Sequence, residues 1–98
     1  MKDIQFELPL DFSEYELELA SKGWFSDTWL VFAGKRYRLN FYDSARLAQE
    51  IESTLIDELL FFEKNLIVIP SVTRCNMERA VEILVHSGRV TSLLSEDS

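Results

Sequence analysis

The spacing of apolar residues changes near residue 43, and this change restricts the fold more than any other feature of the chain. Before it, apolar side chains such as Ile4, Phe6 and Leu8 alternate with polar ones, a period of two that predicts strands. After it, apolar residues recur every three or four positions, which predicts amphipathic helices. We therefore expect an α+β fold: a mainly antiparallel sheet of about five strands with two α-helices packed on one face.

Two segments of the first half decide how the sheet is built. Residues 28–42 are predicted to form a β-hairpin that turns at Ala33-Gly34-Lys35. The segment 14–19 leaves two alternatives open. Strict alternation of apolar residues with glutamates favours a strand, whereas a capping box at Ser13 and a stop at Gly23 would make it a helix. We take the strand as the prediction.

If residues 14–19 form a strand, its glutamates are predicted to pair with arginines of the hairpin. Three glutamates on one strand face repel each other unless cations lie nearby, and the arginines of the hairpin are the natural cross-strand partners. The residues involved are Glu14, Glu16 and Glu18 on one strand, and Arg36 and Arg38 on the other. Together with Lys35, these arginines are expected to keep an edge strand soluble rather than to bind nucleic acid.

The second half is predicted to hold two helices with a strand between them. The first begins at Asp43 or Ser44 as N-cap and runs for about four turns. Its inward stripe is predicted to comprise Leu47, Ala48, Ile51, Leu55 and Leu59. The strand covers residues 65–69, and the second helix begins at Thr73 and ends before Gly88. A short last strand is expected within residues 89–94.

The charge of the chain indicates what it can bind. Its 98 residues carry 17 acidic and 10 basic side chains, a formal net charge of −7. This charge repels nucleic acid and anionic lipid, so neither is an expected partner, and it attracts basic proteins. The length predicts a single domain over residues 1–98. One cysteine and no apolar run long enough to span a bilayer predict a cytoplasmic protein.

Residues able to carry out chemistry are few. Cys75 is the one cysteine and His86 the one histidine, whereas a zinc site needs about three or four such ligands. The sequence contains neither a glycine-rich phosphate loop nor the spacing of a calcium loop. We therefore predict no catalytic residues, no cofactor, no metal and no enzymatic activity. A reactive Cys75 near a helix start, or a functional His86 near a helix end, is the alternative.

The candidate binding residues lie in two places. Trp24 and Asp27 belong to an aromatic-rich loop, and tryptophan is prominent among interface hot spots. Asp43, Glu50 and Asp57 are spaced seven residues apart, which places them along one line of the first predicted helix. We predict that this acidic row imitates phosphates and enters a basic cleft, with Trp24 and Asp27 as an adjoining anchor.

Two passages resemble small immunity proteins of bacterial contact-dependent growth inhibition and related polymorphic toxin systems. Residues 29–47 read WLVFAGKRYRLNFYDSARL, and residues 67–81 read IVIPSVTRCNMERAV. The resemblance implies a cytoplasmic protein that binds one toxin domain, commonly a nuclease, and blocks its substrate site. It transfers no binding residue, because these families diversify at the surface that faces the toxin.

The resulting hypothesis is an immunity protein, a monomer or weak homodimer, that occludes the active site of a cationic toxin domain. A nuclease, an RNase or a DNase, is the favoured target, because such enzymes grip phosphates with basic residues. The alternative is a small acidic adaptor or regulatory subunit of a bacterial protein assembly, which would dock through a sheet edge or the Trp24 region.

Overall fold

The computed structural model describes residues 4–96 and shows an α+β fold. Its strands are β1 (Ile4–Glu7), β2 (Trp24–Phe25), β3 (Trp29–Phe32), β4 (Lys35–Arg38), β5 (Asn40–Tyr42) and β6 (Leu66–Val68). Its helices are α1 (Phe12–Lys22), α2 (Ser44–Asp57) and α3 (Arg74–His86), followed by a 3-10 turn at Arg89–Ser92.

The strands form two three-stranded sheets. In the first, β3 lies between β1 and β4, and both pairings are antiparallel. In the second, β5 lies between β2 and β6; it pairs antiparallel with β2 and parallel with β6. The expected antiparallel pairing thus dominates, but the strands divide between two sheets. The chain passes from the first sheet to the second at Leu39, which is fully buried and donates its N–H to Thr28 O at 3.2 Å.

The predicted hairpin is confirmed for β3 and β4. Ala33 and Gly34 join these strands with φ angles of 53° and 78°, the two positive values that a type I′ turn requires. The hairpin closes in register from Phe32 opposite Lys35 to Trp29 opposite Arg38. Residues 40–42, which the prediction placed in the same hairpin, belong to the second sheet instead.

The strand prediction for residues 14–19 is wrong, because these residues lie within α1. The helix buries Phe12 and Leu19 and leaves Leu17 exposed. The packed stripe therefore has helical spacing, and the alternation of Leu17 with its neighbours does not reflect burial. Gly23, with φ 75°, ends the helix and donates its N–H to Leu19 O at 2.8 Å.

The predicted pairing of the α1 glutamates with the hairpin arginines is wrong for the same reason. Arg36 instead donates to Glu7 Oε1 on β1 at 3.0 Å, and Arg38 donates to Ser26 O at 3.0 Å. Glu16 accepts a hydrogen bond from the backbone N–H of Arg74, at the start of α3. Both hairpin arginines lie on β4, which is an edge strand of its sheet, as expected.

One hydrophobic core joins both sheets to α1, α3 and the 3-10 turn. Its fully buried members include Leu30, Phe41, Met77 and Val81. Thr73 caps α3 as predicted and accepts a hydrogen bond from Asn76 N at 3.2 Å. Beyond Gly88, the expected strand is a 3-10 turn whose Val90 is buried.

The inward stripe predicted for α2 is wrong as a core face: Leu47 and Ile51 are only half-buried, and Ala48, Leu55 and Leu59 are exposed. No residue of this helix is buried, and none belongs to the core or packs against it. Three helices are therefore observed where two were expected, and of these α1 and α3 contribute buried residues to the core. Helix α2 instead forms part of the crossover that parallel pairing of β5 with β6 requires.

Candidate protein-binding surface

The start of α2 is fixed by Asp43, which is the N-cap as predicted. Its Oδ1 accepts a hydrogen bond from Arg46 N at 2.8 Å, and its own N–H donates to Gly23 O at 2.9 Å. The carboxylate lies against Gly23, so a Cβ at position 23 would stand 2.5 Å from Asp43 Oδ2. Asp43 therefore joins the first turn of α2 to the end of α1.

The return of the chain from α2 to β6 is fixed at Tyr42 and Glu63. The Tyr42 hydroxyl donates to the Glu63 carboxylate, at 2.9 Å to Oε1 and 3.0 Å to Oε2. Burial, then the hydrogen bond and charge of Glu63, raise the pKa of Tyr42 well above its ordinary value. The hydroxyl thus stays protonated and holds the crossover against β5.

Between these two anchors lies a run of exposed apolar side chains, which we call the apolar ridge. Their exposed fractions range from 50% to 96%; they are Leu55, Ile56, Leu59, Leu60 and Phe62. Burial of one such side chain gains about 2 kcal/mol, which at about 25 cal/mol per Å² corresponds to about 80 Å² of apolar surface. Five of them therefore present on the order of 400 Å². The largest apolar patch of a typical monomeric protein is about 300–600 Å² and is often functional, which makes the ridge a candidate interaction site.

The charge around the ridge has one sign. Residues 47–63 contain no lysine or arginine, and their five carboxylates are Glu50, Glu52, Asp57, Glu58 and Glu63. Glu52, Asp57 and Glu58 are exposed. The surface therefore combines apolar contact area with a negative potential, which suits a partner that is apolar and basic at its contact face.

The three carboxylates of the predicted acidic row differ in the groups to which they bond. Asp43 is engaged as the N-cap, and Glu50 Oε1 accepts a hydrogen bond from Arg46 Nη2 at 2.6 Å. Asp57 is exposed, and its carboxylate bonds to no group of residues 4–96. Asp57 is thus the member of the row that remains free to meet a cation.

The two remaining candidates lie in different surroundings. Trp24 is 37% exposed on β2, directly opposite Tyr42, with the ring centroids 6.5 Å apart. It therefore lies near the start of α2. Asp27 lies in the loop between β2 and β3 and lines a different cleft, of about 630 Å³, together with Trp29 and Arg36.

The sequence reasoning missed the ridge because it assigned Leu55 and Leu59 to the core. A signal was present in residues 59–62, Leu-Leu-Phe-Phe, which continue the apolar character beyond the end of the helix. A strictly amphipathic helix would have returned to polar residues there.

The residues considered for chemistry lie where the sequence placed them. Cys75 is exposed in the first turn of α3, and His86 is the exposed last residue of that helix. Within residues 4–96, no group of three or more histidine, cysteine, aspartate or glutamate side chains could hold a metal ion.

Helices of the described part of the chain are all too short or too polar to cross a bilayer. Comparison of the sequence with protein-family models and with curated proteins, and of the fold with solved structures, finds no match.

Proposed function

We propose that this chain is a bacterial immunity protein that binds a basic toxin domain in the cytoplasm through α2 and the apolar ridge. The observation that carries the proposal is the ridge itself, exposed within a stretch that has five carboxylates and no lysine or arginine. A core helix would bury this face. An exposed face of this composition is best explained by a partner that covers it.

Charge and apolar surface have separate roles in such binding. The net charge of −7 attracts a basic domain over a distance and speeds the encounter. The ridge then supplies the short-range energy, because each large apolar side chain that a partner covers contributes about 2 kcal/mol. Leu59 and Phe62, exposed by 96% and 78%, offer the most area to a partner.

Among the carboxylates of the acidic row, Asp57 is the best phosphate mimic. It is the last residue of α2, it follows Ile56 of the ridge, and its exposed carboxylate has no partner among residues 4–96. Glu50 is already paired with Arg46 and would have to exchange that arginine for a cation of the toxin. We therefore expect Glu50 to contribute less to binding than Asp57.

The toxin class follows from the same charge argument. Nucleases bind phosphates with basic residues, and a carboxylate surface can occupy such a cleft in place of the nucleic acid. The resemblance of residues 29–47 and 67–81 to immunity proteins supports this class over an adaptor. We therefore propose that the target is a nuclease, an RNase or a DNase, and that binding occludes its active site.

The test uses the toxin domain encoded in the reading frame next to that of this chain. Co-expression should restore growth, and calorimetry should show binding that weakens as sodium chloride is added. Phe62→Glu and Asp57→Lys should each weaken binding at least about tenfold, the equivalent of about 1.4 kcal/mol. Glu18→Lys is the matched control, because Glu18 is exposed on α1 and its replacement makes the same change in charge as Asp57→Lys.

Two outcomes would contradict the proposal. Equal weakening by Asp57→Lys and Glu18→Lys would show that net charge alone matters and that α2 is not the contact face. Growth rescue that Phe62→Glu leaves intact would remove the ridge from the interface. A tight partner that is neutral or acidic would favour the adaptor instead.

A further inference from the structure

A second surface lies between β6 and α3, where the structure forms a groove of about 440 Å³. One wall is the strand segment Ile67–Pro70. The other is a stripe of α3 residues spaced three or four positions apart, completed by a residue from the following turn: Asn76, Arg79, Ala80, Ile83, Leu84 and Arg89. A groove between a strand and a helix has the shape that an extended peptide can enter.

The strand wall has an unpaired edge. Strand β6 pairs with β5 on one side, and within residues 4–96 no strand pairs with its other side. On the paired side, Asn65 O accepts from Asn40 N and Ile69 N donates to Tyr42 O. Since successive residues of a strand direct their backbone groups to opposite sides, the N–H and C=O groups of Leu66 and Val68 face the open edge.

The groove also holds two unpaired cations. Arg79 and Arg89 are exposed, and their side chains make no ion pair or hydrogen bond with any residue from 4 to 96. By contrast, Arg36, Arg46 and Arg74 each bond to a carboxylate. Two free guanidinium groups on one groove of a chain with net charge −7 are a local exception, and they favour carboxylates there.

We propose that this groove binds an extended acidic segment of a partner protein, which adds as a strand to the open edge of β6. Leu66 and Val68 supply backbone hydrogen bonds, and Ile83 and Leu84 accept apolar side chains of the segment. Arg79 and Arg89 bond its carboxylates. The proposal is independent of the immunity function, because α2 and its basic partner take no part in it.

The test is a titration of the whole chain with a labelled hexapeptide that alternates glutamate and valine. Fluorescence anisotropy should show saturable binding below about 1 mM, and a lysine–valine hexapeptide should bind at least about tenfold more weakly. In amide NMR spectra, the largest shifts should fall on Leu66, Val68 and the groove face of α3. Arg79→Glu and Arg89→Glu should each weaken binding about tenfold.

Two controls separate this mode of binding from a general charge effect. Lys35→Glu changes the charge equally at an exposed hairpin residue outside the groove and should leave the affinity within about twofold. A glutamate–valine peptide that is N-methylated at every residue keeps its charge but has no backbone N–H to donate to β6, so it should not bind. Equal binding of the methylated peptide, equal binding of the lysine peptide, or no binding up to about 1 mM would each overturn the proposal.

Discussion

Asn65 and Leu94 are joined by two reciprocal hydrogen bonds. Asn65 Nδ2 donates to Leu94 O, and Leu94 N donates to Asn65 Oδ1, both at 2.8 Å. The same Nδ2 donates to Arg38 O at 2.9 Å. Asn65 has a φ of 51°, a left-handed conformation that asparagine adopts more readily than most residues. One side chain therefore joins the end of β4, the entrance to β6 and the C-terminal segment.

Replacement of Asn65 should separate its side-chain bonds from its backbone conformation. Asn65→Gly keeps the positive φ but loses the bonds, and should lower the free energy of unfolding by about 1–3 kcal/mol. Asn65→Ala should cost about 1 kcal/mol more, because alanine is strained in the left-handed region. Urea unfolding followed by circular dichroism measures both. Equal stabilities of the two variants would show that the conformation carries no cost.

Gly23 and Gly34 form a matched pair for the contact between α1 and α2. Their φ angles are 75° and 78°, so alanine is strained at both positions by about 1–2 kcal/mol. A Cβ at Gly23 meets the Asp43 carboxylate, whereas a Cβ at Gly34 meets nothing within 4 Å. Gly23→Ala should therefore destabilise the protein by about 1–3 kcal/mol more than Gly34→Ala. Equal melting temperatures would show that Asp43 moves aside without cost.

Tyr42 should make stability depend on alkaline pH. An unfolded tyrosine ionises near pH 10.0, but burial and Glu63 raise the pKa of Tyr42 in the folded protein. Below pH 10 the hydroxyl is protonated in both states, so its full contribution to the free energy of unfolding is present. Above pH 10 the unfolded tyrosine ionises while the folded one does not, and the free energy of unfolding falls by up to about 1.4 kcal/mol per pH unit. Urea unfolding between about pH 9 and pH 11 should show a steeper loss for the wild type than for Tyr42→Phe. Identical slopes would contradict this.

The apolar ridge should contribute nothing to folding. Leu59→Lys and Phe62→Lys should change the free energy of unfolding by less than about 0.5 kcal/mol, because both side chains lie in solvent. Met77→Ala, at a fully buried position of α3, should cost about 2–5 kcal/mol. Guanidinium unfolding compares the three variants. A large loss from Leu59→Lys would place that residue in the core after all.

Local chemistry made several elements predictable. Ala33 and Gly34 specify the turn of the hairpin, and Asp43 and Thr73 specify the starts of two helices. This turn and these helix caps depend on interactions within a few residues of the chain, so the local sequence is enough to predict them. The strand predicted at residues 14–19 failed because the alternation depends on Leu17, which is exposed, whereas the buried residues Phe12 and Leu19 have helical spacing.

The candidate binding surface was harder to predict for a different reason. A repeat of apolar residues shows that one face of α2 is apolar, but it does not show whether the chain itself covers that face. The sequence also shows that Asp43 and Glu50 are acidic. It does not show that both accept hydrogen bonds from Arg46, because those bonds depend on the folded positions. Of the predicted acidic row, Asp57 alone makes no ion pair or hydrogen bond through its carboxylate with residues 4–96.

The crossover between β5 and β6 has a consequence for how such a chain can diversify. Its two ends are fixed by the Asp43 and Asn65 contacts, while the apolar ridge between them lies outside the core. Ridge side chains can therefore be exchanged over generations without repacking the interior. On the proposed function, partner choice and foldability would be carried by separate residues, and a lineage could acquire a new target while keeping the same scaffold.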